Sequence, residues 1–229
     1  MHSSKKKLLL LKAGVTSSRA VLGDYEVWFQ RGCGDVVLTT IEAHEGVTLP
    51  DVRGFDGVIV SGSPRSVTAI EPWMERVADS MLEADAAQRA VLGVCFGHQL
   101  LAWRHGAKVE RNPMGRELGT VWVELTERGR ASELFADFPT RFEVQATHED
   151  MVVACGALDV LATNERCAVQ AISIGERSFG VQFHPEMNEA SIRFCIEHPD
   201  TRACDREGAQ SREAPLGTRV LRRFVELCG

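Results

Sequence analysis

The chain has 229 residues, 44% of them hydrophobic and 25% charged, with a formal net charge of −6. That balance suits one large α/β domain whose core needs no disulfide or metal staple. It excludes an intrinsically disordered chain and a nucleic-acid binder driven by bulk positive charge.

Lys5, Lys6 and Lys7 precede an apolar run, Leu8 to Leu11, that is too short for a signal-peptide core and reads as a first strand. No apolar stretch approaches the ~18 residues of a membrane span, so a soluble, cytoplasmic protein without a membrane partner is expected. Val36 to Ile41 and Gly57 to Val60 read as further strands. Pro72 to Arg89 is predicted as a helix, because Trp73, Val77, Met81 and Leu82 recur at helical spacing and Pro72 suits a first turn. Val91 to Val94 are apolar or tiny, as a buried parallel strand requires, and Leu100 to Trp103 continue at helical spacing until His105-Gly106 supplies a glycine cap. Strands alternating with helices predict an α/β fold with an open, mostly parallel central sheet and helices on both faces.

Shorter β-like pieces follow: Thr120 to Leu125, Phe142 to Ala146, Met151 to Val153, Val160 to Thr163, Val169 to Ile174 and Ser178 to Phe183. The period-two alternation of Val121, Val123 and Leu125 predicts a smaller antiparallel portion in the second half. Residues 198–215, rich in Arg, Asp, Glu, Gly and Ser, read as a surface loop or insertion of limited order. A last amphipathic helix carries Val220, Leu221, Phe224, Val225 and Leu227. No internal repeat is visible, and residues 1–229 read as a single domain.

Seven cysteines, an odd number with no C-x-x-C pair, point to reduced thiols. No metal or cofactor is expected, since His184 and His198 lack a partner at ligand spacing. Cys95 stands apart. In Gly93-Val94-Cys95-Phe96-Gly97-His98-Gln99 it occupies the bend between a strand and a helix, and the glycines on either side remove Cβ atoms that would clash in so tight a turn. The helix N-terminus that follows favours negative charge and hence a thiolate. The elbow alone does not separate a nucleophile from an inert buried thiol.

A second segment supplies what a thiol nucleophile needs. Phe183-His184-Pro185-Glu186 ends a strand with an imidazole to move the proton and a carboxylate to orient it. Proline between them biases His184 away from helical backbone. If both strands share one parallel sheet, Cys95 and His184 emerge at the same edge, where open α/β sheets bind ligands. His98, in the first turn after Cys95, and His148, in a polar Thr147-His148-Glu149-Asp150 turn, are rival bases. A third segment, Gly57 to Pro64, is a strand opening into a tight turn; the amides of Ser63 and Phe96 are candidate oxyanion donors, with Gly62 allowing close approach.

Together these segments resemble the class I glutamine amidotransferase family of the Cys-His-Glu type. The elbow is similar to its G-x-C-x-G-x-Q motif, Phe183 to Glu186 to its F-H-P-E signature, and Ser61-Gly62-Ser63-Pro64 to its S-G-G-P turn. The resemblance covers about residues 6 to 195 and is nearest in character to the amidotransferase domain of GMP synthetase and its free-standing relatives. It implies flavodoxin-like layering and a catalytic trio of Cys95, His184 and Glu186. Cys95 would attack the γ-carboxamide of glutamine, His184 would protonate the departing ammonia, and water would release glutamate from a γ-glutamyl thioester. Gln99 and the Thr147, His148 and Glu149 segment would hold the α-amino and carboxylate ends. Three residues depart from the family pattern: Thr147 stands for serine, Glu149 for glycine and Ser63 for glycine. Glu149 adds charge and bulk near the pocket.

No S-G-G-x-D-S loop or comparable nucleotide motif occurs in the 229 residues. The resemblance therefore leaves three readings. Ammonia from glutamine passes to an acceptor through a separate synthetase subunit, or the enzyme is a γ-glutamyl peptidase acting on glutathione-like compounds, or the chain is a non-catalytic binding or regulatory relative. The acceptor and the oligomeric state are not legible.

Overall fold

The computed structural model describes residues 4–154 and 158–229. In chain order its elements are β1 (Lys7–Leu11), α1 (Arg19–Leu22), α2 (Tyr25–Cys33), β2 (Val37–Ile41), β3 (Gly57–Val60), α3 (Pro72–Ala86), β4 (Ala90–Val94) and α4 (Phe96–Arg104). Then come β5 (Lys108–Arg111), β6 (Glu117–Leu125), α5 (Glu127–Ala131), β7 (Arg141–His148), β8 (Asp150–Ala154), β9 (Asp159–Thr163), β10 (Ala171–Ile174) and β11 (Ser178–Val181). Three helices finish the chain: α6 (Glu189–Glu197), α7 (Ala203–Arg206) and α8 (Pro215–Leu227).

One nine-stranded sheet runs β2-β1-β3-β4-β11-β10-β9-β6-β7, and β5 pairs with β8 apart from it. From β2 to β11 the pairing is parallel, and from β11 onward it is antiparallel. The mostly parallel core with a smaller antiparallel extension matches the sequence reading. The antiparallel strands are continuous with the parallel ones.

β1 shows why the strand residues are apolar on both faces. Leu8 and Leu10 pack with Trp28 and Phe29 of α2 and Val220, Leu221 and Phe224 of α8. Leu9 and Leu11 pack on the opposite face with Met74, Val77 and Met81 of α3 and Leu100 and Leu101 of α4. A strand covered by helices on both sides cannot alternate with polar residues.

Helices α2 and α6, the short helices α1, α5 and α7, and strand β5 were not legible in the sequence. α2 begins at Asp24, whose carboxylate caps Tyr25 N at 2.9 Å, but Gly32 breaks its helical signal. That glycine is needed because a Cβ there would lie 2.3 Å from Leu221 Cδ1. α6 buries only Ser191 and Ile192, so its apolar stripe is faint. β5 is largely exposed and pairs only with β8. α3 stops at Ala86 rather than Arg89 because Gln88 adopts φ 59°, outside the helical region. Past Val181 the chain leaves the sheet, with Gln182 N bonded to Gln170 O and His184 N to Gln145 O, both at 2.8 Å.

At the end of β1, Lys12 is buried among three carboxylates: Asp24 at 3.0 Å, Glu26 at 2.8 Å and Glu42 at 2.8 Å. Burial opposes its charge, but the hydrogen bonds that it donates to the three carboxylates hold the ammonium protonated far into the alkaline range. This cluster pins the N-terminus of α2 over the carboxyl edge of the sheet.

Residues 198–215 depart from the expectation of limited order. They carry α7, and residues 210 to 212 dock on β6: Thr120 N donates to Gln210 O at 2.7 Å, Arg212 N to Thr120 Oγ1 at 2.8 Å, and Gln145 Nε2 to Arg212 O at 2.7 Å. Gly119, at φ +116°, permits the approach, since a Cβ there would sit 2.8 Å from Gln210 O. Among the described residues no helix is long and apolar enough to cross a membrane. Thr120→Val, which removes a hydroxyl with bonds on both sides, is expected to cost about 1–3 kcal/mol in urea unfolding and to speed tryptic cleavage after Arg206 and Arg212.

Candidate functional site

Cys95 caps α4 with φ 50° and ψ −99°, a left-handed conformation that costs a side-chain-bearing residue about 1–3 kcal/mol. Packing leaves it no alternative. Cys95 N donates to Val181 O at 2.8 Å and Gln99 N to Cys95 O at 3.1 Å. A Cβ on Gly93 would lie 2.4 Å from Gly97 O, and one on Gly97 2.5 Å from Val60 O. The two glycines thus let α4 turn back against both its own strand and β3.

β11 pairs with β4 in register Val181 to Val94, so the chain leaving β11 passes the elbow. His184 Nδ1 meets Glu186 Oε1 at 2.7 Å, with both side chains almost fully buried. The other ring nitrogen, Nε2, is buried. Burial works against the imidazolium, but the charge of Glu186 and electrostatic and hydrogen-bond coupling to Cys95 outweigh it and hold His184 well above the ordinary histidine value. Gly62 is what lets the turn after β3 come close: a Cβ there would stand 2.9 Å from His184 Cε1 and 3.1 Å from the Tyr25 hydroxyl.

A cavity of about 500 Å³ opens at the elbow and is lined by Cys95, Phe96, Ser63 and Gln99, with Thr147, His148 and Glu149 on its far wall. Phe96 is the first residue of α4, whose N–H has no intrahelical acceptor. Ser63 Oγ donates to Ala13 O at 2.6 Å and accepts from Arg65 N at 3.0 Å, which sets the turn after β3. Ser63, Phe96, Gln99, Thr147, His148 and Glu149 therefore face one space with the thiol, whereas Gly62 does not line it.

Several of them are already engaged. Gln99 Nε2 donates to Asp150 O at 2.9 Å and to Gln182 Oε1 at 3.0 Å. His148 is held at both nitrogens, by Asp150 O at 3.0 Å and Glu117 Oε2 at 2.8 Å, so it shapes the wall and offers no free ring nitrogen. Glu117 is buried, which opposes its charge, yet hydrogen bonds from His148, Asn164 and Gln170 and the histidine's charge hold it below the usual carboxylate range. Glu149 brings no free charge, because Arg111 hydrogen-bonds it and Arg202 lies 3.7 Å away. His98 is fully buried and pushed down to about 3 by that burial, which removes it as a base.

The sequence reading passed over Gln182, Tyr25, Arg116 and Glu117. Gln182 Nε2 lies 3.6 Å from Cys95 Sγ, and a glutamine inside an apolar strand was a usable signal. Tyr25 stands beside Gly62 and is raised well above its ordinary value by burial and by electrostatic coupling to Glu186 and Cys95. No local pattern marks it. Cys155 lies outside the described residues, among which no group of three or more His, Cys, Asp or Glu side chains could hold a metal ion.

Fold and geometry define an α/β domain with a thiol elbow set against a buried histidine–glutamate pair. The family model for glutamine amidotransferase class-I matches residues 32–191, more than half of the chain, and the chain belongs to that family. It is 29% identical over 143 residues to γ-glutamyl peptidase 3 of Arabidopsis thaliana, covering 61% of this chain and 57% of that protein. It is 38% identical over 132 residues to the glutamine-hydrolysing GMP synthase of Aeropyrum pernix, covering 57% of this chain and 24% of that protein. In both cases the match spans less than two thirds of the relative. A glutamine amidotransferase from Methylobacillus flagellatus shares the fold, with a TM-score of 0.78 at 21% identity over 99% of this chain and 96% of that one.

Gly93→Ala drives a methyl into the Gly97 carbonyl and the His98 amide, and is expected to destabilise the protein by about 3 kcal/mol, read as a lower denaturation midpoint at unchanged slope.

Proposed function

We propose that this chain hydrolyses the γ-carboxamide of glutamine through a γ-glutamyl thioester on Cys95. The observation that carries the reading is the His184–Glu186 pair, held at 2.7 Å and charge-coupled to Cys95 at the mouth of the cavity. A histidine kept protonated beside Cys95 holds a proton ready for the leaving nitrogen.

The steps follow from that pairing. The thiolate attacks the amide carbon, and the negative oxygen is met by the amides of Ser63 and Phe96. The carbon–nitrogen bond then breaks, and His184 gives its proton to the leaving nitrogen, which departs as ammonia. Water attacks the thioester, His184 takes the proton from it, and the carbon–sulfur bond breaks to release glutamate and restore the thiolate. Glu186 holds the ring and stabilises its cationic form. Gln182 donates toward the sulfur and, through Gln99, ties it to the substrate wall. Ammonia released here is available to a separate synthetase component.

A second reading, cleavage of γ-glutamyl peptides, is supported by the similarity to γ-glutamyl peptidase 3. The same thioester serves both, and only the leaving amine differs. Intact mass of the protein after brief exposure to glutamine and to γ-glutamyl dipeptides separates them. A γ-glutamyl adduct is expected, absent in Cys95→Ala, and the substrate giving the faster turnover names the activity. No adduct with either substrate leaves a non-catalytic relative.

His184 is raised above the ordinary 6.5, so its cationic form and the stability that it contributes are complete below that value. Both are lost as pH rises through the folded value. Activity is therefore expected to hold through neutral pH and to fall on the alkaline side as His184 loses its proton. Glu186→Gln should move that alkaline limb toward lower pH, read as kcat/KM against pH.

A further inference from the structure

The far wall of the cavity holds more arginines than its carboxylates occupy. Glu149 is taken by Arg111 and Arg202. Asp205 holds Arg202 through bonds of 2.8 and 3.0 Å, and Asp150 accepts the Ser66 hydroxyl at 2.5 Å. Arg116 is different. Among the described residues no carboxylate lies within ion-pair distance of its guanidinium, although the side chain lines the same cavity as Cys95.

Arg116 is nonetheless held in place. Its Nη2 donates to Thr147 Oγ1 at 2.7 Å, and its own carbonyl accepts from Arg166 Nη2 at 3.2 Å. It directly precedes Glu117, which stands opposite His148 in the β6–β7 ladder, so the buried Glu117–His148 pair anchors the backbone that carries it. A half-buried guanidinium with one hydroxyl partner keeps most of its planar donor fork unused, and that fork matches a carboxylate.

We infer that Arg116 is a specificity residue that receives a carboxylate of the substrate inside the Cys95 cavity. The carboxylate has two sources: the α-carboxylate of the γ-glutamyl group, or the carboxylate of an amino acid leaving from the γ-amide. The inference rests on γ-glutamyl hydrolysis at Cys95. It assigns the 116–117 and 147–149 edges of one ribbon to reading substrate charge, while the elbow performs the chemistry.

The test compares wild type with Arg116→Gln and Arg116→Lys on four substrates: L-glutamine, L-glutaminamide, γ-glutamylglycine and γ-glutamylethylamide. If Arg116 reads the α-carboxylate, Arg116→Gln loses about 10- to 100-fold in kcat/KM on every substrate except L-glutaminamide, carried mainly by KM, with part restored in Arg116→Lys. If it reads the leaving group, the loss appears only with γ-glutamylglycine. Equal losses on all four substrates, or none, overturn the inference. A binding arm keeps it separate from the catalytic reading: calorimetric titration of L-glutamine and γ-glutamylglycine into Cys95→Ala, with and without Arg116→Gln. Wild type inert on all four substrates sinks the catalytic reading. Weaker binding in the double variant still supports Arg116, whereas equal binding, or none with Arg116 intact, overturns it.

Discussion

The left-handed backbone of Cys95 is the constraint around which the site is built. A side chain at φ 50° is uphill by about 1–3 kcal/mol, and it persists because β4 is enclosed between β3 and β11 while α4 presses back on both. Gly93 and Gly97 are the places where that compression leaves no room for a Cβ. The parallel register then delivers the turn after β3 and the segment after β11 to the same sheet edge as the thiol. Three distant stretches of sequence meet because three neighbouring strands end together.

Three histidines near this edge show how environment divides one side chain into different states. His184 faces Glu186 and the sulfur and is kept cationic. His98 is sealed against β11, where Gly180 has no Cβ to displace it, and is kept neutral. His148 bridges a carboxylate and a carbonyl and serves as a strut for the cavity wall. Burial alone does not separate them, since all three are nearly inaccessible. What separates them is whether a carboxylate meets the ring: Glu186 meets His184, Glu117 meets His148, and none is paired with His98 among the described residues.

The parallel strands, the elbow and the histidine–glutamate pair were legible because each is written in adjacent residues: an apolar run, glycines flanking a cysteine, a carboxylate two positions after an imidazole. Elements that depend on distant partners were not. β5 exists only through β8, and α2 carries a glycine demanded by α8. Glu149 reads as an added charge until Arg111, 38 residues away, is found on it. The docking of residues 210 to 212 depends on Gly119 and Thr120 of β6 and on Gln145 of β7, which no composition count can reveal. Membership of the family fixes none of these later contacts.

Tyr25 is the only tyrosine in the 229 residues, and the Lys12 cluster holds its helix so that the phenol stands beside Gly62 and His184. Tyrosine spectroscopy on this protein is therefore single-site by composition. A fluorine-labelled tyrosine introduced during expression would place one resonance, with no background from elsewhere in the fold, within electrostatic reach of Cys95 and Glu186. The molecule carries its own reporter beside the candidate nucleophile.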